Sequence, residues 1–263
     1  MSTAVDIFGD CDAFGKKGAA GEDGEDSLDI CRWFPLESLT WLRNTAQCCY
    51  YFETYKDFII KDGKIVGFKS HSSEREIDAI SLKDPVIKVI FGRGYCAEFV
   101  NSLIEIPNTD IAMKVNSFTF LVITFKMTRI PDSEMIIVSN EKSDRGLYVN
   151  LNKFGILGSI EEISWEYILK KWYTIAIQWT RNDKDNSGYV YFKGKRGDFT
   201  TIKPEAQSHS LFMGGLKDER KRLMPWTGCL ALLEIYTYLN EDEFPAKFRN
   251  LIIEDHKRRI HES

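Results

Sequence analysis

Histidine is scarce in this sequence, CxxC pairs and long apolar runs are missing, and each shortage closes off a class of function. The four histidines, His71, His209, His256 and His261, stand at no zinc-ligand spacing with the cysteines, so a structural zinc site is not expected. No stretch reaches the roughly 18 uninterrupted apolar residues that a membrane-crossing helix needs, so no membrane span is expected. There is no N-x-S/T sequon. A net charge of −4 gives no general pull towards nucleic acid or an anionic surface, so no nucleic-acid partner is expected. The opening MSTAVDIFGDCDAFGKKG lacks the basic stretch and apolar run of a signal peptide. That leaves a cytoplasmic chain, or a secreted one whose signal has been removed. No phosphate loop, nucleophile elbow or convergent pair of carboxylates is visible, so an enzyme is not expected.

What is present suits one substantial β-rich core. Of 263 residues, 43% are hydrophobic and 13% aromatic, a balance that favours strands. Six cysteines, Cys11, Cys31, Cys48, Cys49, Cys96 and Cys229, allow up to three disulfides in fifteen connectivities. Cys48 and Cys49 are adjacent, so in an oxidised chain they take different partners.

Four segments follow from the patterning. Residues 1–28 form a flexible tail in which Gly15, Gly18, Gly21 and Gly24 repeat every third position, a collagen-like Gly-X-Y run. Without proline it is too short to hold a triple helix alone, and it reads as a charged linker or as the stub of an oligomerising stalk. Residues 29–84 form a cysteine-containing subregion expected to pack on the main domain. Pro35 opens a short helix there, with Leu36, Leu39 and Leu42 at helical spacing up to Asn44. Lys61-Asp62-Gly63-Lys64 then reads as a hairpin turn. Residues 85–253 carry short strands between turn signals, and residues 254–263 form the end of a C-terminal helix or a tail. Within 85–253 the expected strands include Phe118–Lys126, Met135–Ser139, Gly146–Asn152, Trp172–Thr180, Gly188–Gly194, Ser210–Gly215 and Cys229–Tyr238. Phe118–Lys126 and Trp172–Thr180 are apolar or aromatic on both faces, which predicts central strands covered on both sides. The spacing of strands and turns predicts an all-β antiparallel sandwich with short N-terminal and C-terminal helices. The last helix has Asn240 and Glu243 as a capping box and Phe244, Phe248, Leu251 and Ile252 as its apolar stripe.

In order along the chain, FTFLVITFK, IIVSNEKSDRGLYVNL, KKWYTIAIQWT, SGYVYFKGKR, LFMGGL and WTGCLALLEIYTYLN resemble the successive strands of the laminin-G-like, concanavalin A-like jelly roll. The resemblance implies a non-enzymatic binding module that recognises a glycan or a protein through its rim loops. It also implies candidate calcium ligands on the rim among Asp132, Asp144, Asp183 and Asp185, and a disulfide between Cys96 and Cys229 on the first and last strands. The short Gly-X-Y run followed by DICRWFP and a Cys-Cys pair is similar to a group of insect secreted proteins, some associated with immune or virus-induced responses. That likeness implies an extracellular protein with disulfides.

Three constellations resemble functional sites. Glu76-Ile77-Asp78-Ala79-Ile80-Ser81 resembles the E-I-D-x-x-E of concanavalin-type glucanases, but Ser81 replaces the last carboxylate. A divergent glycoside hydrolase is therefore the alternative function, beside a structural assembly protein. Asp183-Lys-Asp185-Asn-Ser187-Gly188 resembles the start of a calcium loop, yet Gly194 stands where the bidentate Glu should be. Calcium is accordingly the sole cofactor candidate, at Asp183 and Asp185. The charged run containing Arg220, Lys221 and Arg222, followed by Trp226, is the candidate ligand-contacting loop.

Overall fold

The computed structural model describes residues 39–72, 77–83, 86–89, 95–107, 117–140, 145–181, 187–193, 195–201, 210–215, 224–238, 244 and 246–261. Packing divides the chain into Met1–Trp41 and Leu42–Ser263. Only residues 39–41 of the first unit are described, so the architecture below is that of the second. The Gly-X-Y run lies outside the described residues, as do Cys11, Cys31, Asn240 and Glu243.

Eighteen strands, β1 to β18 along the chain, form two sheets among the described residues. The first has eight strands: β1 (Cys48–Tyr51), β5 (Val86–Val89), β6 (Tyr95–Val100), β8 (Ser117–Met127), β13 (Trp172–Arg181), β14 (Ser187–Phe192), β15 (Lys195–Thr200) and β18 (Thr227–Tyr238). Its order is β15-β14-β13-β8-β18-β6-β5, and β1 pairs with the second half of β18. The second has ten: β2 (Phe58–Lys61), β3 (Lys64–Phe68), β4 (Ala79–Lys83), β7 (Leu103–Pro107), β9 (Met135–Asn140), β10 (Gly146–Asn150), β11 (Lys153–Leu157), β12 (Ser164–Glu166), β16 (Ser210–Met213) and the two-residue β17 (Met224–Pro225). Pairing is antiparallel throughout, except that β17 runs parallel to β9. The chain folds as an antiparallel β-sandwich with a C-terminal helix, as the sequence predicts.

Strand alternation explains why the sheets bury each other. On β8, Leu121, Ile123, Phe125 and Met127 face inward and join Ile175 and Ile177 of β13, Leu233 and Ile235 of β18, and Ile137, Leu147 and Phe154 of the second sheet. A fully buried side chain of this kind contributes about 1.5–3 kcal/mol through removal of its apolar surface from water. The alternate residues Phe120 and Val122 point outward, where Phe244, Ile252 and Ile253 cover them. The latter two belong to the C-terminal helix α2 (Ala246–His261), whereas α1 is the short turn Thr40–Arg43. The two-sided apolar pattern of β8 and β13 therefore has a physical cause: one face lies against the other sheet and one lies under α2.

Residues 48–83 supply strands to both sheets, β1 to the first and β2 to β4 to the second. The β2–β3 hairpin turns through Asp62 and Gly63 with φ of 51° and 75°, the left-handed pair a tight hairpin requires. Of the helix expected over Pro35–Asn44, the part described is Thr40–Arg43.

Candidate functional site

The C-terminal helix is fastened to the first sheet by a buried ionic network. Arg43 Nε donates to Glu234 Oε1 at 2.8 Å, and its Nη2 donates to Asp255 Oδ2 at 2.5 Å. The Tyr236 hydroxyl donates to Glu234 Oε2 at 2.6 Å. His256 Nδ1 lies 2.9 Å from Thr124 Oγ1, which is itself 2.9 Å from Thr174 Oγ1. His256 Nε2 lies 3.1 Å from Glu234 Oε1. Burial by itself would raise the Glu234 carboxyl. The Arg43 charge, then the His256 imidazole and the Tyr236 hydroxyl, outweigh it and hold that carboxyl well below the usual range. Glu234 and His256 are 0% exposed and Asp255 4%, so the cluster is sealed and its geometry is that of a fastening.

A second constellation faces solvent. On β14, Val190 and Phe192 point into the core, so Tyr189 and Tyr191 point outward. Register across β8, β13, β14 and β15 places Phe120, Gln178, Tyr189 and Asp198 in one outward row, with Val122, Ala176, Tyr191 and Arg196 in the next. The Arg196 guanidinium lies over the Tyr189 ring, 3.6 Å from its centroid, and its Nε donates to Asp198 Oδ1 at 2.8 Å. The Arg196 and Asp198 side chains are 48% and 71% exposed. A stacked, tethered guanidinium beside half-exposed phenols makes a rigid platform carrying both charges.

Unsatisfied polar groups concentrate at this end of the sheet. Gln178 is fully buried, and among the described residues neither its amide oxygen nor its amide nitrogen has a hydrogen-bond partner. Trp179 Nε1, Thr119 Oγ1 and Thr237 Oγ1 are likewise unpartnered, and these three residues form one row across β13, β8 and β18. A buried polar group left unmatched costs about 1–3 kcal/mol, so such a run calls for an explanation. In WYTIAIQWT the face of Gln178 also carries Trp172, Thr174, Ala176 and Thr180, and Gln178 is its one amide.

The residues singled out from sequence fare differently. Trp226 is a correction: it is fully buried rather than exposed on a ligand loop, its ring tilted against Phe99 with centroids 5.1 Å apart and its Nε1 donating to Met127 Sδ at 2.8 Å. Arg220, Lys221, Arg222, Asp144, Asp183, Asp185 and Glu76 lie outside the described residues. Asp132 is exposed and accepts from Arg129 Nη2 at 2.9 Å. Among the described residues no group of three or more potential metal ligands occurs. Cys48, Cys49, Cys96 and Cys229 are buried thiols, and no disulfide joins them. Among the described residues no helix is long and apolar enough to cross a membrane.

No family model matches the chain, and no curated protein matches it. Solved structures do. A mutant Trypanosoma rangeli sialidase displaying trans-sialidase activity aligns with a TM-score of 0.51 at 14% identity, over 82% of this chain and 39% of that one. Trypanosoma rangeli sialidase in complex with sialic acid aligns at 0.50 and 16%, over 82% of this chain and 37% of that one. A botulinum neurotoxin type C structure, from work on cell entry through two ganglioside molecules, aligns at 0.51 and 11%, over 81% and 53%. The chain thus spans between about two fifths and half of these proteins, and at such identities the likeness is one of fold.

Proposed function

We propose that the chain is a non-enzymatic binding module that takes a glycan on the outer face of β14 and β15. The observation that carries this reading is the solvent-facing Tyr189–Arg196 stack, whose guanidinium is held in place by Asp198. Tyr189 and Tyr191 supply aromatic surface, and Arg196 and Asp198 supply charge-assisted hydrogen bonds to the edge of the ring. The fold neighbours lend support of a coarser kind, since one was solved with sialic acid and another concerns gangliosides.

The test is a glycan array followed by calorimetry on the retained glycan. Arg196→Ala, an exposed change, should leave the melting temperature within a degree or two and weaken binding about tenfold or more. Asp198→Ala, also an exposed change, frees the guanidinium and should weaken the same glycan's binding while leaving the melting temperature within a degree or two. No glycan retained by the wild-type protein, or full binding by both variants, refutes the reading.

A further inference from the structure

The outer face of the first sheet carries, away from the glycan platform, a pair of thiols that nothing above uses. Cys229 of β18 sits opposite Glu98 of β6, so Cys96, two residues earlier on β6, shares its face as the diagonal neighbour. The two thiols share one small buried cluster with Ala231 and Leu232 that Tyr51 and Trp172 border. Lys126 of β8 is the cross-strand partner of Cys229, and its ammonium lies 4.7 Å from the Trp172 ring centroid. Cys48 and Cys49 are not equivalent to this pair: they are adjacent in sequence and bury into separate clusters on opposite faces of β1.

We propose that Cys96 and Cys229 form a reversible dithiol–disulfide couple that locks β6 to β18. The oxidant is a small-molecule disulfide such as oxidised glutathione. One cysteine, as its thiolate, attacks a glutathione sulfur; the reagent's S–S bond breaks and one glutathione thiol leaves. The second cysteine then attacks the protein sulfur of that mixed disulfide and expels the other glutathione thiol. Two electrons pass from the cysteine pair to the reagent, and both thiol protons end on the departing glutathiones. A diagonal pair spans more than a directly opposed one, so closing the bond asks the strands to shift slightly. A bridge of that kind is reducible, which suits a switch better than a permanent staple. Cys96 ionises reluctantly, because the neighbouring Cys229 and burial hold its thiol high while Lys126 pulls it down. Exchange is therefore slow at neutral pH and speeds up as pH rises.

The experiment uses the full chain with Cys11→Ser and Cys31→Ser, equilibrated with oxidised glutathione at mildly alkaline pH. Digestion without reductant should yield the Cys96 peptide linked to the Cys229 peptide. Titratable thiols should fall from four to two, two glutathione thiols should appear per chain, and a dithiol reductant should reverse all three. The melting temperature should rise by several degrees on oxidation. Cys229→Ala should instead accumulate a stable glutathione adduct on Cys96; should that variant not fold, the linked peptide of the parent still decides. Persistent single adducts in the parent, a bridge involving Cys48 or Cys49, or four thiols surviving to equilibrium at raised temperature would each overturn the proposal.

Discussion

Replacing Glu234 by alanine should destabilise the fold by about 3–5 kcal/mol, read as a fall in the urea midpoint at unchanged slope. The size follows from what stays behind. Arg43 keeps its bond to Asp255 but loses a 2.8 Å partner while its side chain is 3% exposed, and the Tyr236 hydroxyl loses its acceptor in a fully buried site. A buried charge stripped of a partner costs far more than the intact pair contributes, because its desolvation is no longer offset. The same carboxylate sets an acid limit. Its pKa is lower folded than unfolded, so it stabilises the native state above the ordinary glutamate value of about 4.3. That contribution fades as pH falls below this value towards the depressed folded pKa. Stability should therefore fall progressively as pH drops below about 5, and Glu234→Gln should flatten that part of the profile. A profile of Glu234→Gln with the wild-type slope would refute the assignment.

Much of this fold can be read from period-two patterning, and what cannot has identifiable causes. Phe118–Lys126 and Trp172–Thr180 are apolar on both faces because one face meets the second sheet and the other meets α2, so their central place was legible. Lys195–Thr200 was not legible as a strand: it is polar on an edge, and only Phe199 and Gly197 mark its inner face. Tyr95–Val100 hides its alternation behind small residues, Cys96 and Ala97 both being buried though they face opposite ways. The ionic fastening is beyond local pattern altogether, since Arg43 and Asp255 lie 212 positions apart. The candidate glycan platform is a matter of register, because Tyr189 of β14 meets Arg196 and Asp198 only through the pairing with β15. The rim residues chosen from sequence were chosen for charge, and charge locates loops rather than contacts.

Trp226 is the sharpest case, and its removal should cost about as much as any single core change. Trp226→Ala should destabilise the protein by about 3–5 kcal/mol and leave an apolar cavity. Its indole packs against Phe99 and Phe125, with ring centroids 5.1 and 6.2 Å away, and its backbone nitrogen donates to Gly214 O at 2.9 Å. The charged run before it made it look like a loop residue, yet the clue lay two positions later. A Cβ at Gly228 would stand 2.5 Å from the Trp226 ring, so the glycine makes the room the indole fills. Gly228→Ala should accordingly destabilise too, since the same Cβ would also meet the Lys126 carbonyl oxygen at 2.4 Å. If Trp226 were instead a ligand contact, its alanine variant would melt with the wild type and fail only in binding. Chemical denaturation with a glycan titration on the same preparation separates the two, and the buried geometry requires the loss of stability.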